Sequence, residues 1–489
     1  MSARELPARP HLDHLKNEAK ALLKAFNAGE PDALRRIRAV LGDKRDVKLS
    51  DAQRVIAREH GFPTCAQLRT HVQASRSLEE AVDEFLAAAY AQDVARAREV
   101  IRLHPRVATD SIHVAAALGN ADDVRRLIAE DPSRATARVW IHDVDPLLVL
   151  CYSPFHGENA ERDAGLLATA RILLDAGADP NTKDSQYRVP ALYAVTGPRS
   201  VLPIARLLLD AGADPNDGES VFHAAEAFHE DALELLLRAG VDLNFVGEWG
   251  NTALYFLLRW HDIEREPRTK QGLLWLLSHG ADPNVICAAE RETSLHVAAR
   301  RGQSVDVIKL LLDHGADVHI RRADGKTPWD LAARGGFDAV ADLLETAGAM
   351  TAALSDADLL LAACGRGDAD EARRRSSTAV LAELLPADFL LVTEAAENGR
   401  TSTVAACLAA GFPVDTIDAN GATALHYSAI RGRLQQVQML LEVGAALDIR
   451  DKEHSSTPLG WAFFGADFIR EHLADRSAPD RHLHVPQAG

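Results

Sequence analysis

The nine residues LLDAGADPN stand at positions 173–181 and again, letter for letter, at 208–216, 35 residues later. A catalytic sequence serves one site and has no reason to recur at a fixed interval. A recurring phrase describes architecture: one supersecondary unit that can bury its apolar face only against the next copy. Looser copies read LLRAGVDLN at 236–244, LLSHGADPN at 276–284, LLDHGADVH at 311–319 and LLEVGAALD at 440–448. The glycines Gly177, Gly212, Gly240, Gly280, Gly315 and Gly348 recur at intervals of about 28–40 residues.

A second phrase precedes most copies by some twenty residues: TSLHVAARRG at 293–302, TPWDLAARGG at 327–336 and TALHYSAIRG at 423–432. Weaker forms are SIHVAAALG at 111–119 and DPLLVLCYS at 145–153. Threonine is a good N-cap, and proline is tolerated at the first helical position. The paired alanines let one helix lie close to the next, and glycine then stops the helix. VDVIKLLLDHG repeats apolar residues at helical spacing, and Ala-Asp-x-Asn is turn chemistry. Each unit is therefore predicted as helix, tight turn, helix, long turn.

These units resemble ankyrin repeats, whose pattern is roughly G-x-T-P-L-H-x-A-A-x-x-G followed by V-x-x-L-L-x-x-G-A-D-x-N. The resemblance implies an all-α solenoid of paired antiparallel helices with short hairpin-like turns. Ten to twelve units are expected over residues 77–489, with a degenerate unit at 355–387 and a C-terminal cap at 455–489. Residues 1–76 do not repeat. They read as a small helical module, similar to the segment that precedes ankyrin repeats in bacterial proteins. In it, Pro31 opens a helix, and Ser50 with Gln53 reads as a capping box.

The net charge of −17 argues against attraction of the whole surface to nucleic acid or anionic membrane. Five scattered cysteines with no C-x-x-C spacing suggest neither a zinc site nor a disulfide framework, and fit a reducing compartment. The opening residues lack the apolar core of a signal peptide, and no apolar run approaches the ~18 residues of a membrane span. A cytoplasmic monomer without cofactor or metal is expected. No Walker-type loop, G-x-S-x-G elbow or H-E-x-x-H motif occurs, and no nucleophile–base pair is placed together by the sequence. His482 and His484 are too few and too terminal for a metal site.

His113, His223, His296 and His426 fill one slot of the repeat pattern, with Tyr193 and Tyr255 in the same slot elsewhere. The resemblance implies a backbone hydrogen bond between neighbouring units for such a histidine. The turn aspartates Asp179, Asp214, Asp282 and Asp317 each sit in a separate turn and read as structural.

Binding candidates lie where the pattern is broken. Residues 140–260 are rich in aromatics: Trp140, Tyr152, Phe155, Tyr187, Tyr193, Phe222, Phe228, Phe245, Trp249, Tyr255, Phe256 and Trp260. Irregular insertions at 152–163 and 260–270 flank the run. On the ankyrin pattern, Tyr152, Phe228 and Trp260 fall at the concave end of the first helix and Trp249 near a finger tip, where exposed aromatics would anchor a partner. Arg259, Arg300, Arg301, Arg334, Arg366 and Arg431 hold groove-facing positions, with Arg321 and Arg322 on a finger. A line of arginines on an acidic chain would seat an acidic protein or peptide, a phosphorylated partner or RNA, or else form a solvated face. The function expected is a protein-interaction scaffold that binds on the concave face. The alternative is a small-molecule or catalytic pocket from Tyr152, His156, His223, Glu226, Tyr255 and Trp260. Glu226 is notable there because it takes a slot where the pattern wants alanine.

Overall fold

The computed structural model describes residues 12–139, 142–185, 188–287 and 291–473; Trp140, Tyr187, His482 and His484 lie outside them. Among the described residues every regular element is a helix. The extended pairings there are isolated antiparallel bridges, Val139 with Val144, Lys183 with Pro190 and Cys287 with Glu292. The chain divides into two compact units, Met1–Val195 with Pro203–Ala213, and Thr196–Leu202 with Asp214–Gly489.

The first unit begins with α1 (Leu12–Asn27), α2 (Pro31–Leu41), α3 (Leu49–Glu59) and α4 (Cys65–Tyr90). Leu15, Leu22, Ile37, Val55, Ile56 and Val72 close a core among them. Pro31 does open α2, as its fixed φ suits a first helical residue. The box expected at Ser50 and Gln53 is displaced. α3 starts earlier, and the Lys48 amide donates to the Asp51 carboxylate at 2.9 Å, which Lys44 also pairs at 2.8 Å. The expected boundary at residue 76 falls inside α4, which is continuous from its Thr64 cap to Tyr90. Helix pairs then follow, such as Ile112–Ala117 with Ala121–Glu130 and Pro146–Cys151 with Ala160–Asp175.

The second unit repeats the same pairing: Ser220–Glu226 with Glu230–Arg238, Ala253–Trp260 with Pro267–Ser278, Ser294–Arg301 with Val305–Asp313, and Pro328–Arg334 with Asp338–Thr346. The sequence logic is visible in the bonds. Thr327 Oγ1 accepts the Asp330 amide at 3.3 Å, and Asp330 accepts the Thr327 amide at 2.8 Å. Gly302 ends its helix at φ +68°, and a Cβ there would lie 2.2 Å from the Phe337 ring. The second helix closes as the Ala316 amide donates to Leu311 O at 3.0 Å. Leu311 and its counterparts Leu236, Leu276, Leu344 and Leu440 are fully buried. Helices approach closely where residues are small: a Cβ on Gly272 would fall 1.8 Å from Ala225 O.

The long turn carries its own coupling. Asp282 accepts the Asn284 amide at 2.8 Å, which shapes the turn. Asn284 then reaches the next turn, donating to Gly315 O at 2.8 Å and accepting the Asp317 amide at 2.8 Å. Asn244 accepts the Asp282 amide in the same way, and Asn216 that of Asp242, both at 2.7 Å.

The unit from residue 355 lacks this turn. Its helices Asp356–Arg366 and Ala369–Arg375 are followed by an extra helix, Thr378–Glu383, and a 3-10 turn, Pro386–Leu390. The expected cap at 455–489 is described as far as Leu473, in the helix Pro458–Leu473. Leu459, Phe463 and Phe464 on it face solvent.

Candidate functional site

The repeat histidines separate into two kinds. His113 Nε2 bonds Ala137 O at 2.8 Å, and burial lowers its pKa to about 4. His426 Nε2 lies 3.3 Å from Ser456 O, with Nδ1 bonded to Thr423. His296 Nδ1 bonds Thr293 likewise. The His113 and His426 bonds are the backbone links expected, whereas the His296 bond is a cap within its own helix start. His223 differs. Its Nδ1 is 2.6 Å from Glu226 and its Nε2 3.3 Å from Glu219. Glu226 also lies 3.3 Å from His261, whose Nδ1 is 2.6 Å from Glu266. Burial alone would keep the His223 imidazole neutral, but the bonds to Glu219 and Glu226 overcome it and raise the pKa to about 9. The glutamate in an alanine slot thus fastens the 260–270 insertion to the preceding first helix. Thr269 adds a bond to Glu226 O at 3.2 Å.

Tyr152 and His156, two of the candidates, belong to the first unit. The Tyr152 ring stacks on Tyr90 at 4.7 Å between centroids, and burial pushes its phenol well up. His156 bonds Leu150 O at 2.9 Å, and Phe155 is buried. In the second unit, Tyr255 is fully buried and donates to Glu292 at 2.9 Å. Burial, then the Glu292 charge, push it up to about 12. Phe228 stands half-buried at φ +47°, in the glycine position that follows a first helix. Trp260 is half-buried, with the Arg259 guanidinium 5.0 Å from its ring centroid.

The arginines form no bare row of cations. Arg300 Nε lies 3.2 Å from Glu292, itself 1% exposed, and Arg322 pairs with the same carboxylate. Burial opposes the Glu292 charge, but Arg300 and Arg322 hold its pKa below the usual range. Arg301 donates to Asn398 at 2.8 Å. Arg334 lies 2.8 Å from Asp358 and 2.7 Å from Asp388, the latter supplied by the irregular 3-10 turn. Arg366 is 3.3 Å from Asp338. Arg321 donates to Gly325 O within its own finger at 2.6 Å. Arg431 is exposed.

The finger turns hold what the sequence reading did not gather. Trp249 is 47% exposed, and its Nε1 donates to Glu219 on the neighbouring finger at 2.8 Å. Phe245, Val246 and Ile286 are exposed beside it in sequence register. The available signal was positional: Val246 and Ile286 both stand two residues after the turn asparagine.

Among the described residues no group of three or more His, Cys, Asp or Glu side chains is placed to hold a metal ion. No helix among them is long and apolar enough to cross a membrane.

Two family models match the chain, "Ankyrin repeats (3 copies)" over residues 268–353 and "Ankyrin repeats (many copies)" over 392–441. The chain is 36% identical over 112 residues to human cyclin-dependent kinase 4 inhibitor B, a match that covers 75% of that protein and 23% of this one. The chain belongs to the ankyrin-repeat family. Zebrafish ankyrin repeat and SOCS box protein 11 is 38% identical over 125 residues, 26% of this chain, and the match spans only 38% of that protein's length. The solved ankyrin repeat domain of human ASB11 aligns with 49% of this chain and 99% of its own, at 25% identity and a TM-score of 0.35. The bacterial setting expected for the N-terminal segment finds no support in these matches. Ankyrin repeats generally mediate protein–protein interaction, and this ankyrin array presents the helix pairs and fingers of that family.

Proposed function

We propose that the chain is a protein-interaction scaffold that binds a polypeptide partner along the concave first helices and adjoining fingers of its second unit. The observation that carries this reading is Trp249, a large aromatic ring held by the bond to Glu219 yet 47% exposed. A rigid, half-exposed tryptophan is the usual form of an interface anchor, because little rotamer freedom remains to be lost on binding. Arg259 and Trp260, paired at the far end of the first helix that follows this finger, would add a second aromatic contact.

Hydrogen exchange on the full chain, with and without a partner captured from native cytosol, tests the reading. Protection on binding should fall on residues 245–260 and 294–301. Protection confined to second helices such as Val305–Asp313 would overturn it. So would capture that the Trp249→Ala and Trp260→Ala variants leave unchanged.

A further inference from the structure

We infer that the stacked fingers within residues 214–287 form a docking strip for a basic segment of a partner protein, one with large apolar side chains between lysines or arginines. The inference rests on the scaffold reading above and adds to it the place and chemistry of the contact.

The strip is continuous because the fingers are bonded to one another. Asn216 accepts the Asp242 amide, Asn244 accepts the Asp282 amide, and Trp249 donates to Glu219. Gly218 and Gly247 meet so closely that a Cβ on Gly247 would lie 3.3 Å from Gly218 Cα. On this frame Phe245 is 38% exposed, Val246 39%, Trp249 47% and Ile286 39%. Four large exposed apolar side chains on two successive bonded fingers depart from the scattered single residues of an ordinary surface and mark an interaction surface.

The exposed charge within the finger turns is acidic. Asp214, Asp242, Glu248 and Asp282 are exposed on the same fingers. Residues 214–222, 241–252 and 281–287 contain no lysine, arginine or histidine; of the bases that flank them, His223 is engaged by Glu219 and Glu226, and Arg291 lies on the return limb of the third finger. The arginines expected to attract an acidic partner face Glu292, Glu394, Asp358 and Asp388 of the chain itself. The field left over at the fingers is negative, and it selects for lysine and arginine during encounter.

Geometry also sets the spacing of the partner's side chains. Packed helices lie about 8–10 Å apart, so successive fingers are offset by a similar distance. A segment in the polyproline II conformation rises about 3.1 Å per residue and returns to the same face every third residue. An apolar side chain at every third position, with basic residues between, therefore matches Val246 and Ile286 on adjacent fingers.

The test is selection of a phage-displayed random dodecapeptide library on the immobilised full chain. Three proteins are compared: wild type, Val246→Ser/Ile286→Ser and Trp260→Ala. Both sites are surface positions, and circular dichroism melting curves establish that the variants fold. The expected result is enrichment of peptides with apolar residues three apart and net positive charge. Their affinity should drop about tenfold or more in the finger variant and weaken steeply between 50 and about 300 mM salt. Enrichment of acidic peptides, or of peptides lost only in Trp260→Ala, would overturn the inference and leave the scaffold reading standing. Enrichment of nothing above a blank matrix would overturn it as well, while the hydrogen-exchange experiment decides the scaffold reading independently.

Discussion

Arg300 Nη1 lies 3.5 Å from Glu394 Oε1, although 94 residues separate the two in sequence. Arg301 reaches Asn398 on the same helix end across 97 residues. First helices several repeats apart are thus joined by side chains within the second unit, and Arg300 also holds the buried Glu292.

This arrangement makes Arg300 a stability residue. Its replacement by alanine leaves Glu292 buried beside Arg322 and Tyr255 with one cation fewer. Breaking one partner of a buried ion pair costs about 3–5 kcal/mol, and the retained Arg322 pair should reduce the loss to about 2–3 kcal/mol. Urea unfolding of Arg300→Ala, Glu292→Gln and the double variant checks this. The double variant should lose clearly less than the sum of the singles.

His223 ties stability to alkaline pH. Its folded pKa of about 9 exceeds the 6.5 of a free imidazole. Below pH 6.5 both states carry the proton, and the bonds to Glu219 and Glu226 contribute fully. Between pH 6.5 and 9 the unfolded chain releases the proton first, so stability falls as pH rises, by at most about 3 kcal/mol. Above 9 the contribution is gone. Urea midpoints from pH 6 to 9.5 should decline in the wild type and stay flatter in His223→Gln.

Gly272→Ala sets two effects against each other. Alanine favours a helix interior by about 1 kcal/mol over glycine. Here its Cβ would fall 1.8 Å from Ala225 O, a backbone atom that moves only with its whole helix. The clash should win, with a net loss of about 1–3 kcal/mol, read as a lower melting temperature.

Asn284→Ala removes two bonds between consecutive turns, to Gly315 O and from the Asp317 amide. The site is exposed and water replaces part of the loss, so about 1–2 kcal/mol is expected. Amide exchange at Asp317 should accelerate, while that at Asp242, held by Asn216, should not change.

The sequence carried the repeating elements because each is encoded locally. Thr327, Pro328 and the stop at Gly315 act through neighbours one to four residues away, and period and caps expose them. The contact of His223 with Glu226 also follows from their spacing of three on a helix. The rest is coded at a distance. Glu394 and Asp388 stand 94 and 54 residues from the arginines they neutralise, and no local pattern joins them. Tyr255 read as a structural slot-filler, but its buried partner Glu292 belongs to the next finger. Val246 and Ile286 were invisible for a different reason: each looks like an ordinary turn residue until the fingers are stacked. Ser50 misled because Asp51, one residue on, closes the helix start with a stronger, charged acceptor.

The asparagine bridges carry one more consequence. Each turn offers an aspartate amide to the asparagine of the turn before it, joined at Gly280 and Gly315 by a glycine carbonyl, and its own asparagine bonds the turn that follows. Asn216, Asn244 and Asn284 would therefore find a suitable neighbour if an intervening block of the chain were excised or copied. Such an array can grow or shrink by whole blocks without inventing a new joint, which makes its length easier to alter than the contents of any single block.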